Sequence, residues 1–341
     1  MNILNYATFQ VDVQSNSTEN ITLQVQETDF EDYLSELISE VSQNRNSRNF
    51  EFVRDTTEIK ALIDTLFENG NFANFVQGAS QRLLASEVEA QAGIAHLGNE
   101  IQKGLLIIAR VEENGLQSMF ICKAEHVDFL EETNYTITKG LPIKKKLFKA
   151  FLASFDNNNQ PTSVLVFDTN QVMAKYWWHD YLELSPVRTN SKNTELAFQS
   201  LERRIFAPLK KKHPADYMNL RNSTVHYFRS NEDFSIDDYI EKIIEPYPPV
   251  DEELKINDLK TKIEGFPEKY KFDNRFTIDK AEVKARQSNK VRLNDNLELV
   301  MKSDIDLPNI IKAYMEDDGQ KYIRIRTDNG YDTFIQRQEQ Q

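Results

Sequence analysis

Residues 104–124 decide the fold, and they read GLLIIARVEENGLQSMFICKA. Two apolar runs, residues 104–111 and 116–124, flank a polar segment that ends in Asn114-Gly115. Asn-Gly between apolar runs is the strongest short-range signal for a β-hairpin, because the tight turn needs residues that adopt positive φ. The stretch therefore predicts two antiparallel strands joined by a short turn, rather than a strand that leads into a crossover helix.

The sequence on both sides of this hairpin predicts the rest of an antiparallel sheet. Residues 147–155 and 162–168 form a second apolar pair across the turn-rich segment DNNNQP. Apolar residues at helical spacing predict three helices upstream, which begin near residues 29, 56 and 72. Shorter apolar runs at residues 3–13, 21–26 and 50–54 predict further strands. We therefore expect an α+β fold, with an antiparallel sheet and helices packed on one side of it in the N-terminal half.

The C-terminal half is predicted to be mainly helical. The polar stretch SPVRTNSKN, residues 185–193, breaks the periodicity, and we place a domain boundary there. The expected domains are residues 1–185 and residues 194–341. Helical spacing in the second of these recurs at residues 194–206, 235–244 and 251–263.

The chain is predicted to end in a small antiparallel sheet. Residues 280–286 predict a short helix, and the runs KVRLN and LELVMK, residues 290–294 and 297–302, predict a strand pair. A final hairpin is expected from residues 322–327 and 331–335, with its turn at Asp328-Asn329-Gly330.

The composition narrows the class of protein. The chain has 341 residues, 54 acidic and 41 basic side chains, and a net charge of −13. No run approaches the ~18 apolar residues that span a bilayer, and the N-terminus lacks the pattern of a signal peptide. The single cysteine, Cys122, lies in an apolar strand pattern, which fits a small buried residue in a reducing compartment. The sequence therefore predicts a cytoplasmic protein without a membrane segment.

Motifs for catalysis are scarce. There is no P-loop, no G-x-G-x-x-G and no nucleophile elbow, and the five histidines stand apart from one another. We therefore expect no metal site and no cofactor. The E-x-K spacing that a metal-dependent nuclease could use occurs at Glu282-Val283-Lys284 and at Glu253-Leu254-Lys255. Both lie in apparent helices, where Glu and Lys are common as good helix formers, so an enzyme is not expected.

Three basic islands without any acidic residue stand out in this acidic chain. They lie at residues 139–149, 203–212 and 283–292. A run of charges is often only a solvated surface, but random mixing would intersperse acids among these cations. Clustered Lys and Arg contact phosphates, and binding through them weakens steeply with salt. The predicted DNA-binding residues are Lys144, Lys145, Lys146, Arg203, Arg204, Lys210, Lys211, Lys212, Lys284, Arg286, Lys290 and Arg292.

A group of aromatic residues allows two interpretations. Trp177-Trp178 lies beside Tyr176 and Tyr181. Such a cluster can stack nucleic-acid bases. The alternative, which the apolar surroundings favour, is that these side chains pack in the core.

The order of these segments resembles the bacterial nucleoid-associated protein family called NdpA or YejK-like, over residues 21–327. The resemblance rests on FANFVQGASQRLL, GLLIIARV, LPIKKKLFKAFL and VLVFD in the first half. Its strongest part is FTIDKAEVKARQSNKVRLNDNLELVMK at residues 276–302. The resemblance implies a DNA-associated protein of the cytoplasm and nucleoid without an established catalytic activity. It implies no list of binding residues, and the acidity and the Asn-rich linkers of this chain depart from expectation.

Two functions are therefore expected, in this order. The first is a nucleoid-associated, sequence-nonspecific protein without catalytic activity that binds double-stranded DNA. The alternative is a protein-interaction component of a phage-defence or mobile-element system that acts on DNA through a partner. The sequence leaves open whether the protein is a homodimer.

Overall fold

The computed structural model of the protein describes residues 1–22, 26–98, 100–101, 103–113, 115–125, 127–130, 137–140, 148–170, 172–283, 290–294, 296–300, 310–327 and 330–338. The chain divides into two compact units, Met1–Ala285 and Arg286–Gln341. The first unit contains a large antiparallel sheet followed by a mainly helical part, and the second contains small two-stranded sheets. The α+β prediction is therefore confirmed.

An antiparallel sheet of eight strands forms the first part of the unit Met1–Ala285. The order across the sheet is β10-β3-β9-β8-β5-β4-β1-β2, and all neighbours run antiparallel. The predicted hairpin is its centre, since Gly104 pairs with Glu125 and Glu113 with Leu116. The strands are β1 Asn2–Asp12, β2 Ser17–Asn20, β3 Arg48–Phe52, β4 Gly104–Glu113, β5 Leu116–Glu125, β8 Phe148–Phe155, β9 Pro161–Asp168 and β10 Leu184–Pro186. Two further strands, β6 Val127–Leu130 and β7 Ile137–Gly140, pair only with each other.

Helices cover both faces of this sheet, so the expectation of helices on one side is wrong. Helix α1 (Glu27–Gln43) packs on one face, where Leu34 and Leu37 meet Ile107 and Phe120. Helices α2 (Glu58–Asn69) and α3 (Phe72–Ile94) pack on the other face, together with the π-helical turn Tyr176–Tyr181. The physical reason is that β4, β5 and β8 are nearly continuous apolar runs with both faces buried, and each face needs a cover.

A second, helical part follows with a hydrophobic core of its own, which draws on residues 197–283. The expected boundary at residues 185–193 lies between the sheet cores and this core, inside the first compact unit. The division into domains at residues 1–185 and 194–341 stays a prediction. The elements are helices α4 Asn190–Leu201, α5 Ala207–Lys212, α6 Pro214–Ser230, α7 Ile236–Tyr239, α8 Ile256–Glu264 and α9 Phe266–Tyr270, the π-helical turns Glu202–Phe206 and Ile240–Ile244, the 3₁₀ turn Lys280–Glu282, and strands β11 Asp233–Ser235 and β12 Arg275–Thr277.

The unit Arg286–Gln341 contains two hairpins and a helix. Strand β13 (Lys290–Asn294) pairs with β14 (Leu297–Val300), and β15 (Ile311–Met315) pairs with β16 (Lys321–Ile325). The last element, α10, is the helix Tyr331–Gln338, so the predicted final hairpin at residues 322–335 is wrong. The turn used is Asp317-Asp318-Gly319, where Gly319 has φ +82° and Asp318 Oδ1 accepts the Gln320 N–H.

A tight turn also determines where the second strand of the chain begins. Asp12 Oδ1 accepts the backbone N–H groups of Gln14 and Ser15, and Asn16 has φ +50°. The chain therefore reverses at once, and β2 occupies Ser17–Asn20; residues 23–25 of the strand expected at 21–26 lie outside the described residues.

Candidate nucleic-acid interface

The structure describes the side chains of one basic island. Arg203, Arg204, Lys210, Lys211 and Lys212 are all exposed. Lys144, Lys145, Lys146, Lys284 and Arg286 lie outside the described residues. The backbone of β13 carries Lys290 opposite Val300 and Arg292 opposite Glu298.

One continuous helical segment, residues 190–212, presents these five cations. It consists of α4, the π-helical turn Glu202–Phe206 and α5, and the residues at both junctions keep right-handed helical backbone angles. On the inner side, Ile205, Phe206 and Leu209 are buried in the helical core. Because an apolar stripe fixes the rotation of a helix, the cations at the flanking positions face solvent.

Pro208 accounts for an additional cation at this surface. Proline has no N–H, so it cannot donate to the carbonyl of Arg204 four residues earlier. Lys262 of α8 donates to that carbonyl instead, with 2.7 Å between Lys262 Nζ and Arg204 O. The π-helical turn directly before Ala207 is a distortion of the kind that follows when the regular ladder is interrupted.

Tyr270 lies at the centre of the surface. The Arg204 guanidinium and Lys269 Nζ each lie 5.8 Å from the centroid of its ring. A cleft of about 130 Å³ opens beside the ring, lined by Arg203, Arg204, Gln199 and neighbouring residues. We call the set Arg203, Arg204, Lys210, Lys211, Lys212, Lys262 and Lys269 the basic helix surface.

The cations of the helical island differ from most others by lacking acidic partners. None of Arg203, Arg204 and Lys210–Lys212 forms an ion pair with a residue that the structure describes. Glu202, the acid next to them, is engaged by Arg221 at 2.8 Å. Several exposed cations elsewhere in the first unit do have acidic partners, as in Arg45–Asp237, Lys103–Asp12, Lys192–Glu195, Lys242–Asp238 and Lys280–Glu232.

This arrangement can hold a row of anionic groups. From Arg204 to Lys211 the helix rises about 10 Å, given 1.5 Å per residue. Exposed acids occur nearby on α8 and α9, at Glu264 and Glu268. The cations outnumber them, and the acidity of the remaining chain repels a polyanion from other surfaces. The arrangement therefore favours one binding orientation over diffuse adhesion.

The tryptophan pair belongs to the core. Trp177 is 1 % exposed and Tyr181 is fully buried, and both pack against the sheet. The rings lie 5.2 Å apart, and Trp178 packs on Phe50. The core-packing interpretation is confirmed, and the buried Trp177 and Tyr181 cannot stack a base.

A second group of charges, which the sequence reasoning missed, lies inside the molecule. Lys123, Lys149 and Asp168 follow one another across β5, β8 and β9, and Glu87 of α3 lies over them. Lys123 Nζ donates to Glu87 Oε1 at 2.5 Å, and Lys149 Nζ donates to Glu125 Oε1 at 2.5 Å. We call these five residues the interior ionic row. Lys149, part of the island at residues 139–149, is therefore buried and neutralised.

Burial shifts the titration of the interior ionic row. It raises the pKa of the Glu87 carboxyl and lowers the pKa of the Lys123 ammonium, while each partner opposes the shift of the other. Burial also raises the pKa of Asp168, against the attraction of Lys149. The alternation of side chains along a strand could have predicted this row. Met119, Ile121, Lys123 and Glu125 share one face of the strand, so the charged residues lie on the same face as the apolar ones.

A metal-dependent nuclease requires acids and lysines that converge on strands, but the centre of the interior ionic row is buried. Glu87 and Lys123 are fully buried. Among the residues that the structure describes, no group of three or more His, Cys, Asp or Glu could hold a metal ion. At the E-x-K considered from sequence, Glu282 accepts a hydrogen bond from Ser191 Oγ at 2.9 Å, and Lys284 lies outside the described residues. The absence of catalysis stays a prediction.

Comparison with known proteins adds no family. No protein-family model matches this sequence, and no curated protein matches it. The likeness to the nucleoid-associated family therefore remains an inference from the residues quoted above. No helix within the described part of the chain is long and apolar enough to cross a membrane.

Proposed function

We propose that this protein is a non-enzymatic, nucleoid-associated protein that binds double-stranded DNA through the basic helix surface. One observation carries the proposal: five adjacent exposed cations on one helix lack acidic partners in a chain with a net charge of −13. Cations held on a rigid helix and left unneutralised suit a row of phosphates. Phosphate contacts carry no base information, so the binding is nonspecific in sequence. The site of action is the cytoplasm and nucleoid, where duplex DNA is the abundant polyanion.

Neutralising this island is expected to weaken duplex binding by more than about tenfold at low salt. The variant replaces Arg203, Arg204, Lys210, Lys211 and Lys212 with Gln, which keeps helix propensity and removes five charges. Each lost phosphate contact lowers the slope of log K against log salt by about 0.9. Fluorescence anisotropy with a labelled duplex, titrated between 50 and 200 mM salt, measures both quantities.

A matched control removes five charges that already have partners. Arg45, Lys103, Lys192, Lys242 and Lys280 are exposed and ion-paired, and their replacement by Gln changes the net charge equally. Binding and slope should stay close to wild type. Equal loss in both variants would show a bulk charge effect, and no duplex binding by the wild type at low salt would reject the proposal.

A second candidate function has one observation in its favour. In the unit Arg286–Gln341, large apolar side chains are exposed, among them Val300 at 54 %, Met315 at 65 % and Phe334 at 67 %. Such exposure marks surfaces that bind proteins. The protein would then be a component of a phage-defence or mobile-element system that reaches DNA through a partner. Light scattering of the purified chain separates self-association from a monomer, and DNA binding by that chain alone would argue against the need for a partner.

A further inference from the structure

The hairpin β15–β16 has one face that is aromatic and basic. The register pairs Tyr314 with Tyr322 and Lys312 with Arg324. Because side chains alternate across a strand, these four lie on one face. The pairs Ile311–Ile325 and Ala313–Ile323 lie on the other. The basic islands found from sequence do not include this hairpin.

The two tyrosines form an exposed, ordered platform. Their ring centroids are 5.3 Å apart and the ring planes differ by 14°, and the Arg324 guanidinium lies 5.3 Å from the Tyr314 centroid. Tyr314 is 41 % exposed and Tyr322 is 37 % exposed. Cross-strand aromatic pairs stabilise a hairpin, and here both rings also remain open to solvent. The stacking also fixes both rings before any ligand arrives.

The charges beside this platform lack a counter-ion. Lys312 and Arg324 are directly opposite each other, and like charges at opposite positions destabilise a strand pair. Neither forms an ion pair with any residue the structure describes. The hairpin's acids, Glu316, Asp317 and Asp318, lie in the turn, beyond the tyrosines. An anion that settles between Lys312 and Arg324 would relieve the repulsion.

A groove beside the platform has room for a planar ring. Its volume is about 760 Å³, and Tyr314 and Tyr322 line it with Leu293 and Leu297 of the neighbouring hairpin. Pockets of ~300–1,000 Å³ hold small organic groups. Its lining also includes Ala313, Met315 and Ile323, and apolar and aromatic walls of this kind suit a planar ring.

We infer that this face binds single-stranded nucleic acid, with bases against Tyr314 and Tyr322 and phosphates on Lys312 and Arg324. Aromatic rings that stack bases, next to cations that follow the backbone, are the two elements of single-strand binding. A duplex cannot use the platform, because its base faces are already stacked on each other. The site lies in the unit Arg286–Gln341 and is separate from the basic helix surface.

The decisive variant of the full-length protein replaces Tyr314 and Tyr322 with Thr, which keeps β propensity and removes the rings. The probes are a labelled 20-nucleotide pyrimidine strand as DNA, the same strand as RNA, and a 20-base-pair duplex. Single-strand affinity should fall about tenfold or more, since each stacked base contributes substantially. Duplex binding should not change. Comparing the DNA and RNA strands shows which sugar the site prefers.

Three further double variants interpret the result. Tyr314→Phe with Tyr322→Phe keeps the rings and should bind single strands as wild type does. Ile311→Thr with Ile325→Thr alters the opposite cross-strand pair and should leave binding unchanged. Lys312→Gln with Arg324→Gln should lower the single-strand salt slope by about 1.4, at 0.7 per contact.

Three outcomes would overturn the inference. The first is that the wild type does not bind single strands. The second is that the Thr variant binds them as well as wild type does. The third is that the basic helix surface variant loses single-strand binding while the tyrosine variant keeps it. If the wild type binds single strands but no duplex, the proposed function is rejected and this inference stands.

Discussion

Replacing Lys123 with Met is expected to lower the free energy of unfolding by about 3–5 kcal/mol at pH 7. Lys123 and Glu87 are both fully buried, and the ammonium group donates directly to the carboxylate. Met fills most of the volume of the lysine stem, so the cost comes from the buried carboxylate that loses its hydrogen-bonded cation. Urea unfolding followed by tryptophan fluorescence measures the change.

The loss of unfolding free energy that Lys123→Met causes should depend on pH. Burial raises the pKa of Glu87 above its ordinary value of 4.5, and Lys123 opposes this shift. Without Lys123 the pKa of Glu87 rises further. A group with a raised folded-state pKa stabilises the fold below its unfolded pKa and loses that contribution as the pH rises through the folded pKa. The difference in unfolding free energy between the variant and the wild type should therefore be smaller near pH 4.5 than at pH 7. The other groups that act on Glu87, the Lys149 ammonium and the Tyr176 hydroxyl, are common to both proteins.

The double variant Glu87→Leu with Lys123→Met provides the control. Apolar replacement of a whole buried pair is often neutral or stabilising, so we expect stability within about 1 kcal/mol of wild type. The coupling between the two sites would then be several kcal/mol. A cost below about 1 kcal/mol for Lys123→Met alone would contradict the burial described for this pair.

The local sequence was sufficient to predict an element where its pattern is typical of one structure only. The hairpin at residues 104–124 was predictable because alternation, length and Asn-Gly all agree. The covering of both sheet faces was not, because a continuous apolar run does not say which layers bury it. The C-terminal hairpin failed because two turn signals, at residues 317–319 and 328–330, compete for the strand Lys321–Ile325, and the local sequence does not rank them.

Helix α6 was not predicted from the sequence, for a different reason. Its residues 214–230 were not predicted as a helix, because buried polar residues interrupt the apolar stripe. Asp216 is fully buried and accepts hydrogen bonds from Tyr247 Oη at 2.8 Å and from the Val250 N–H at 2.7 Å. Thr224 is also buried and bonded to Tyr239 Oη. A polar residue whose partners are distant in sequence looks like a surface residue until the fold is known.

The same limit applies to the candidate site. The sequence was sufficient to locate the basic islands. Ion pairing decides which of their cations are available to a ligand, and ion pairing depends on the fold. Lys149 belongs to an island in sequence and to Glu125 in space. Lys262 joins the basic helix surface only because Pro208 leaves the Arg204 carbonyl without its usual donor.

Replacing Asp273 with Ala is expected to cost about 3–5 kcal/mol of unfolding free energy. The Asp273 carboxylate accepts from Arg48 Nε at 2.9 Å, Arg188 Nη1 at 3.0 Å and Asn193 Nδ2 at 2.8 Å. Arg48 is 9 % exposed and Asn193 is fully buried, so removal of the carboxylate leaves a buried cation without its counter-charge and the Asn193 side-chain N–H without its acceptor.

A surface pair of the same chemistry serves as the control. Arg45 and Asp237 also form an Arg–Asp ion pair, but their side chains are 52 % and 45 % exposed. Water solvates both partners when one is removed, so Asp237→Ala should cost less than about 1 kcal/mol. Equal costs for the two substitutions would show that burial does not set the value of the Asp273 network.

The Asp273 network also connects the two parts of the first unit, because Arg48 lies on β3 of the sheet and Asp273 follows α9 in the helical part. Both tryptophans of the chain, Trp177 and Trp178, pack with the sheet, so tryptophan fluorescence reports on the sheet alone. Far-ultraviolet circular dichroism at 222 nm is weighted toward the helices. The wild type should give one urea transition by both probes if the network joins the parts into one cooperative unit. In Asp273→Ala we expect the two transitions to separate, with the helical signal lost at lower urea. Coincident transitions in the variant would mean that the apolar contacts between the parts suffice for cooperativity, and that residues 185–193 do not separate independent domains.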